Sequence, residues 1–565
     1  MASPDVSSAA ATRAPGRPYD GAVTGMLRVR GPARARPPRW PLLAVAALAL
    51  LTRGWAYLDP RQLVAARELD DATMYSVAVQ LVHGHVPYRD VLYLHPPGMP
   101  LAMTPLAWLA HWTGDAWALA VGRAGTVLLG VGCTVLVGLL LRRRGTAAVL
   151  VGAGLYAVWT SVVRTERVAL LEPVLTVCLL LALLVLQRTA GASGTAVRTG
   201  AFSRLGPTTT APLLVGALTG AALTFKLWAG VTAVVLGVVV LVTRGLRASG
   251  WFVGGVAAVV TVVVGPFVAI AGSAVWHDTI TAQASRPAAV DAFAYRLRRF
   301  SPFDGFGSTP WSDVALRVVG VVVALALVAT VVLGVLRWTR SRSDAGHDET
   351  TTWALLAVVQ SLTVLVAPSF FYHYAAFPAA VLALLAGAAA AAGWSGAVRA
   401  MRRRRGERGS ATLRGLVAAA GVAMLAVLTV SACLPTKPPQ PSNAPVAAWA
   451  AGHRCVWGLA SAVVRADAAT PNAERGCDVP PDVYGQGVLA ATRSGVAVTG
   501  TVLDDNPAWT AEMLRQLATS DAAFLPLPED GRWLRGESQR AFEEEFVHVS
   551  TSGPFELWER RAPAG

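Results

Sequence analysis

A succession of apolar runs between Trp40 and Ala432, each near the ~20 residues that cross a bilayer as a helix, restricts this chain more than any other feature. Hydrocarbon offers the backbone no hydrogen-bonding partner, so such runs must be helices that satisfy their own N–H and C=O groups. With 54% hydrophobic residues, 15% charged residues and a mean hydropathy of +0.48, the chain is too apolar for a soluble protein of its length. The net charge of +15 would suit a nucleic-acid binder, but the basic residues lie between the apolar runs, in clusters such as Arg142–Arg144 and Arg402–Arg405. That placement is topological, since short cytoplasmic loops retain arginine and lysine, and it excludes nucleic acid as a partner.

The arginine clusters set the expected topology. Residues 1–39, rich in Pro, Ala and Arg, read as a disordered basic cytoplasmic tail with no cleavage site after the first apolar run. Spans are expected at roughly Trp40–Leu58, Ala116–Leu141, Thr146–Val163, Val168–Leu186, Ala211–Trp228, Gly230–Val242, Trp251–Ala271, Val314–Leu336, Thr352–Val366, Ala375–Gly393 and Leu413–Ala432. That makes about eleven helices within a transmembrane domain 40–432. The apolar stretch Pro97–Trp112 is short for a span, and counting it as one would put Arg142–Arg144 outside. It is therefore expected to lie along the interface, inside a long outer loop covering 59–114.

Beyond a Pro-rich linker at 433–445, residues 446–565 have the composition of a soluble domain. A helix is expected at Val446–Arg465, a strand at Val496–Val502, a helix at Trp509–Thr519, a strand at Ala522–Leu527, a helix at Glu537–Phe546 and a final hairpin. Alternating short strands and helices predict a small α/β domain, placed by the topology outside the cytoplasm, where Cys455 and Cys477 could pair. It has neither a G-x-G-x-x-G fingerprint nor a Walker-type phosphate loop.

The residues able to do chemistry gather in the first outer loop. Asp70 and Asp71 are followed by His83, His85, Tyr88, Arg89, Tyr93, His95 and the rigid Pro96–Pro97 step. At the membrane surface a carboxylate ionises at little cost, whereas at the bilayer centre it would cost roughly 2.5–3.5 kcal/mol. A solvated loop acid or helix cap and a reactive carboxylate are both compatible with such a pair. Glu172, entering an apolar run behind Arg167, is either a buried paired acid that orders a helix end or a functional group. Lys226 and Lys437 are the only lysines in a chain that otherwise uses arginine. A compact ammonium at Lys226 suits point contact with a phosphate, and snorkelling to the interface is the alternative.

Asp70-Asp71 with Tyr75, then Gly84-His85-Val86-Pro87-Tyr88 with Asp90, then His95-Pro96-Pro97-Gly98 resemble the first outer loop of GT-C glycosyltransferases that use polyprenyl-phosphate sugars. Those of the protein O-mannosyltransferase and lipid A aminoarabinose transferase kind carry Asp-Glu, Gly-x-x-Pro-Tyr and Pro-Pro at comparable places. By position Asp70 matches the family's catalytic base and Asp71 its neighbouring glutamate, and the change of Glu to Asp leaves open which carboxylate is the base. Arg167, four intervening residues, Glu172 and Pro173 are similar to the family's arginine, gap, aspartate and proline, with Glu one methylene longer. Related transferases also carry a lysine near the place of Lys226.

The resemblance implies a multi-pass membrane enzyme that moves a mannose- or arabinose-like sugar, a hexosyl or pentosyl group, from a polyprenyl-phosphate donor to a cell-envelope glycan or glycolipid. Transfer would take place at the outer face with inversion, among membrane lipids. Tyr88, Arg89, His95, Arg167, Glu172, Lys226, Arg298 and His373 would line the substrate site. Arg298 stands out with His277, Asp278, Arg286, Arg296 and Arg299 in an outer loop that is basic against the usual trend, and His373 lies in the turn Ser369–Tyr374. No metal motif of convincing spacing is evident: His83 and His85 read as loop residues, and the residues name no certain cofactor, although Asp70, Asp71 and Glu172 could hold a divalent cation. A transporter or flippase of lipid-linked sugars, or a non-catalytic envelope-assembly protein, are the competing classes. A transporter predicts ionisable groups near mid-membrane and internal repeats, neither of which the sequence displays.

Overall fold

The computed structural model describes residues 38–65, 68–189, 207–284, 293–302, 349–434, 441–477, 485–489, 507–526, 536–553 and 555–562, with isolated positions between them. Arg286, the expected strand Val496–Val502, eight positions within Val314–Leu336, the linker positions 435–440 and the tail up to residue 37 lie outside them.

The apolar runs form helices α1 (Trp40–Gly54), α4 (Asp115–Leu141), α5 (Thr146–Val158), α7 (Glu172–Thr189), α8 (Pro207–Leu223), α9 (Ala229–Arg244), α10 (Leu246–Ala271), α12 (Glu349–Leu365) and α13 (Ala376–Cys433). Among the described residues, five helices are long and apolar enough to cross a membrane. A sixth span results if α5 and the short α6 (Thr160–Glu166), bent by 60° between Val158 and Thr160, are taken together. Shorter apolar helices stand at Thr209–Leu223, Ala229–Arg244, Gly320–Val332 and Ala419–Cys433, where further spans are expected.

Element α13 covers both of the last two expected spans. Both of its ends nevertheless pack on α5: Gly387 meets Ala148 and Gly152, and Leu425 meets Gly154. A straight helix would hold Gly387 and Leu425 on the order of 57 Å apart at 1.5 Å per residue, so the chain reverses between them.

The segment expected to form the first outer loop folds into α2 (Leu69–Val82), a tight turn, and α3 (Gly98–Thr113). Pro97 precedes α3 because a missing N–H costs nothing at a helix start. Gly98 donates its N–H to the Thr224 carbonyl (2.7 Å), and a Cβ there would sit 2.5 Å from that same oxygen. Only glycine allows α3 to dock so closely on the end of α8.

The C-terminal region contains α14 (Ala444–Ala451), β1 (Val456–Gly458), α15 (Ala460–Arg465), α16 (Ala469–Glu474), α17 (Pro507–Ala518), β2 (Ala522–Pro526), α18 (Gly536–Glu545), β3 (Phe546–Ser552) and β4 (Phe555–Arg560). The sheet order is β1-β2-β4-β3, with β1 and β2 parallel and the other pairs antiparallel. The helix expected at Val446–Arg465 is interrupted: Cys455 is bonded to Cys477, and Val456 and Trp457 pair with Ala522 and Ala523, so sheet pairing overrides the helical pattern there.

One apolar core joins α2 and α3 to this region, including Met74, Tyr75 and Ala78 with Val463, Ala466 and Ala473. Polar contacts fix the docking. Asp115 at the start of α4 accepts from Tyr75 Oη (2.9 Å), Thr470 Oγ1 (2.6 Å) and Thr470 N (3.0 Å), and Asp467 accepts from Ala116 N (2.9 Å). A carboxylate facing the amides of a helix's first turn is favoured by the free N–H groups there.

Candidate active site

Asp70 and Asp71 are consecutive in the first turn of α2, about 100° apart around the helix, and so face different surroundings. Asp71 is fully buried against Arg123 of α4, with Oδ2 2.8 Å from Nε and Oδ1 3.2 Å from Nη2. Arg123 also donates to the carbonyls of Leu63 (2.8 Å) and Ala65 (2.6 Å), which ties α4 to the chain entering the loop. Asp70 points the other way, with 42% of its side chain exposed.

The turn between α12 and α13 comes to meet Asp70. His373 Nε2 lies 3.3 Å from Asp70 Oδ2, and His373 Nδ1 lies 3.0 Å from Glu172 Oε1. Glu172 Oε1 is in turn 2.5 Å from Lys226 Nζ. Lys226 stands in the turn between α8 and α9, since helix α8 ends at Leu223 rather than continuing to Trp228 as the apolar pattern predicts. Its ammonium lies over the rings of Tyr374 (4.2 Å) and Trp228 (4.4 Å), which favour a cation at their faces. The order Asp70, His373, Glu172, Lys226 thus links four elements in one chain of charges. Glu172, His373 and Lys226 are all buried, and Glu172 Oε2 has no hydrogen-bond partner among the described residues.

Burial alone would raise the Asp70 pKa. The neighbouring His373, with more distant help from His95 and Lys226, outweighs this and holds the carboxyl below the usual carboxylate range. Asp70 therefore stays ionised at neutral pH. On the same side, Tyr372 Oη donates to Glu68 Oε2 (3.0 Å) at the start of α2.

The other expected site residues are placed as follows. His95 faces Tyr93 edge-on at 5.9 Å between ring centres and is near enough to Asp70 to act on it electrostatically. Tyr88, at a positive φ of 72°, is buried in the turn of the loop and donates to the His95 carbonyl (2.6 Å), so it orders the segment that carries His95. Arg89 is exposed and paired with Asp90 at 2.7 Å, away from the cluster. Arg167 spends its guanidinium on backbone carbonyls, those of Thr52 and Ala432 (2.9 Å), at the ends of α1 and α13. Arg298 lies on α11 (Phe293–Phe300), beside Arg296, which donates to the carbonyls of Leu365 and Ala367, and Arg299, which pairs with Asp304.

Of the three carboxylates expected as possible ligands of a divalent cation, Asp71 is taken up by Arg123 and Glu172 Oε1 by Lys226 and His373, whereas Asp70 is partly exposed and Glu172 Oε2 has no partner among the described residues.

Arg123 escapes a sequence reading because one arginine within an apolar run carries no spacing signal. Arg53 escapes for the same reason: its Nε lies 2.6 Å from Glu166 Oε2, and Tyr156 donates to the same carboxylate (2.7 Å). A buried arginine demands a buried acid, which is the signal available in principle.

No family model and no curated protein sequence matches the chain. Solved structures do. The oligosaccharyltransferase AglB of Archaeoglobus fulgidus in the apo form aligns at a TM-score of 0.54 and 12% identity, over 93% of this chain and 75% of AglB. AglB in complex with an inhibitory peptide and a dolichol-phosphate gives 0.52 and 11%, over 93% and 74%. ArnT of Cupriavidus metallidurans, bound to undecaprenyl phosphate, gives 0.48 and 14%, over 93% and 99%. At such identities the AglB likeness shows the fold alone: the chain shares its fold with that oligosaccharyltransferase.

Proposed function

We propose that the chain is an integral-membrane glycosyltransferase that moves a sugar from a polyprenyl-phosphate donor to a glycan or lipid acceptor at the outer membrane face. Asp70 is the general base. It takes the proton of the acceptor hydroxyl as that oxygen attacks the anomeric carbon, and the bond to the polyprenyl phosphate oxygen breaks. A single displacement of this kind inverts the centre.

The observation that carries this reading is the division of labour between the two neighbouring acids. Asp71 is consumed by Arg123, whereas Asp70 is partly open, ionised and joined through His373 and Glu172 to the lysine. Lys226 stabilises the leaving phosphate as a fixed point charge in a site that is largely dry. Glu172 and His373 position Lys226 and Asp70, and Glu172 Oε2, buried and without a hydrogen-bond partner among the described residues, is an acceptor left for a sugar or acceptor hydroxyl. His95, Tyr88 and the arginines of α11 line the approach on this reading, while Arg89 and Arg167, already committed elsewhere, act through the scaffold.

The eleven-span topology, with a cytoplasmic N-terminus and the C-terminal domain outside, accords with the Cys455–Cys477 disulfide, a bond that persists in oxidising compartments. The test is transfer from a labelled polyprenyl-phosphate sugar by membranes or purified protein. Asp70→Asn should lose about 10²–10⁴-fold in rate, the usual worth of a positioned base. Undiminished transfer by that variant would overturn the mechanism.

A further inference from the structure

The seam between the first outer loop and the C-terminal domain contains a second cluster. His83 follows the last residue of α2, His111 lies in the last turn of α3, and Glu474 ends α16. Their ligand atoms all fall within 4.8 Å of one another: His111 Nε2 is 3.6 Å and His83 Nε2 4.0 Å from Glu474 Oε1. The two imidazoles stack, with ring centres 5.7 Å apart.

The opposite nitrogens decide the chemistry. His83 Nδ1 lies 2.8 Å from the Val79 carbonyl and His111 Nδ1 3.1 Å from the Trp108 carbonyl. A carbonyl only accepts, so each Nδ1 carries a proton, and the tautomer this selects turns a bare Nε2 lone pair toward Glu474. In that tautomer three acceptors converge with no donor between them. The two separations from Glu474 Oε1, 3.6 and 4.0 Å, exceed the 2.7–3.2 Å of a hydrogen bond and lie a little beyond the edge of a tetrahedron, about 3.3–3.5 Å, built on metal–ligand distances of about 2.0–2.2 Å. An Nδ1–H held by a carbonyl is also the usual support of a metal-bound histidine.

We propose that His83, His111 and Glu474 form a three-ligand site for a divalent transition metal, with zinc the best match. Two imidazoles and one carboxylate suit a borderline ion and do not suit magnesium or calcium, which select all-oxygen sites. The side chains are 15%, 33% and 49% exposed, so an ion can enter from solvent and keep a water in the fourth position. The site is separate from the Asp70 cluster, since the thirteen residues from Asp70 to His83 along α2 correspond to about 20 Å. A bound ion would staple α16 to both outer-loop helices and so hold the C-terminal domain over the loop that carries Asp70.

The test uses the full chain in lipid nanodiscs, purified without a polyhistidine tag, stripped with a chelator and titrated with zinc, and bound metal is counted by mass spectrometry. Cobalt absorption reports tetrahedral geometry. Wild type and Asp70→Asn should each hold about one zinc per chain. Glu474→Gln and His111→Ala should weaken binding by more than about 100-fold, beyond the loss typical of a supporting residue, while unfolding like wild type in the absence of metal. Equal zinc uptake by wild type and His111→Ala would overturn the proposal. So would a wild type that takes up no zinc while Glu474→Gln lowers metal-free stability, because the cluster would then be a histidine–glutamate ion pair. Binding is read without any transfer assay, so failure of the proposed activity and failure of this site are distinguishable.

Discussion

Asp71 Oδ2 lies 2.8 Å from Arg123 Nε, and neither side chain is more than 2% exposed. The pair joins α2 to α4, and Ala65 and Leu63 lend their carbonyls to the same guanidinium. The acid beside Asp70 is thus an anchor of the scaffold.

Removing one partner of such a pair leaves an uncompensated buried charge, so Asp71→Asn should destabilise the protein by about 3–5 kcal/mol. The double change Asp71→Leu with Arg123→Met should recover most of that. Thermal unfolding of the purified variants checks both, and Asp70→Asn should unfold close to wild type.

Lys226 sits between two aromatic faces and 2.5 Å from Glu172. A planar guanidinium does not reproduce that compact contact, so Lys226→Arg should not rescue what Lys226→Ala loses. Both should reduce transfer by about 10²–10³-fold, on the scale of one missing electrostatic stabiliser. If the lysine serves the departing phosphate, the loss falls on kcat more than on the donor KM.

The depressed pKa of Asp70 predicts a pH profile. A base works when ionised, so activity is present above the folded-state pKa and is lost as pH falls through it, below the ~3.9 of a free aspartate. The stability contributed by the same carboxylate follows the same sign: present at neutral pH, lost only below that range. In His373→Gln the main opposition to burial is gone, so the acid limb of kcat/KM should move to higher pH. A limb that stays in place would show that His373 does not control Asp70.

At Gly98 a Cβ would stand 2.5 Å from the Thr224 oxygen and 2.9 Å from its carbonyl carbon, both backbone atoms that cannot swing aside. Gly98→Ala should cost about 1–3 kcal/mol as an overpacked contact and shift the turn that carries Lys226, lowering transfer along with stability. Gly132→Ala in α4 meets nothing within 4 Å and serves as the neutral control.

Some of this was legible in the residues. The apolar runs had to be helices, because lipid leaves the backbone no other partner, and the acidic pair, Glu172, Lys226 and His373 stood out as ionisable or compact charged groups beside apolar surroundings. Turn chemistry also spoke locally: Pro96-Pro97-Gly98 marks the hinge before α3.

The assignment between Asp70 and Asp71 was not legible. Two consecutive residues on a helix point about 100° apart, and only the packing of α4 shows that one direction meets Arg123. Nor could the sequence bring Lys226 and His373 to 2.5 and 3.0 Å from Glu172 Oε1 across some two hundred residues, or set His83 and His111 beside Glu474. Hydropathy and helical period are local quantities that one strand of sequence specifies by itself. Which charges meet depends on how helices cross and where a distant turn lands, and that was decided only when the helices packed.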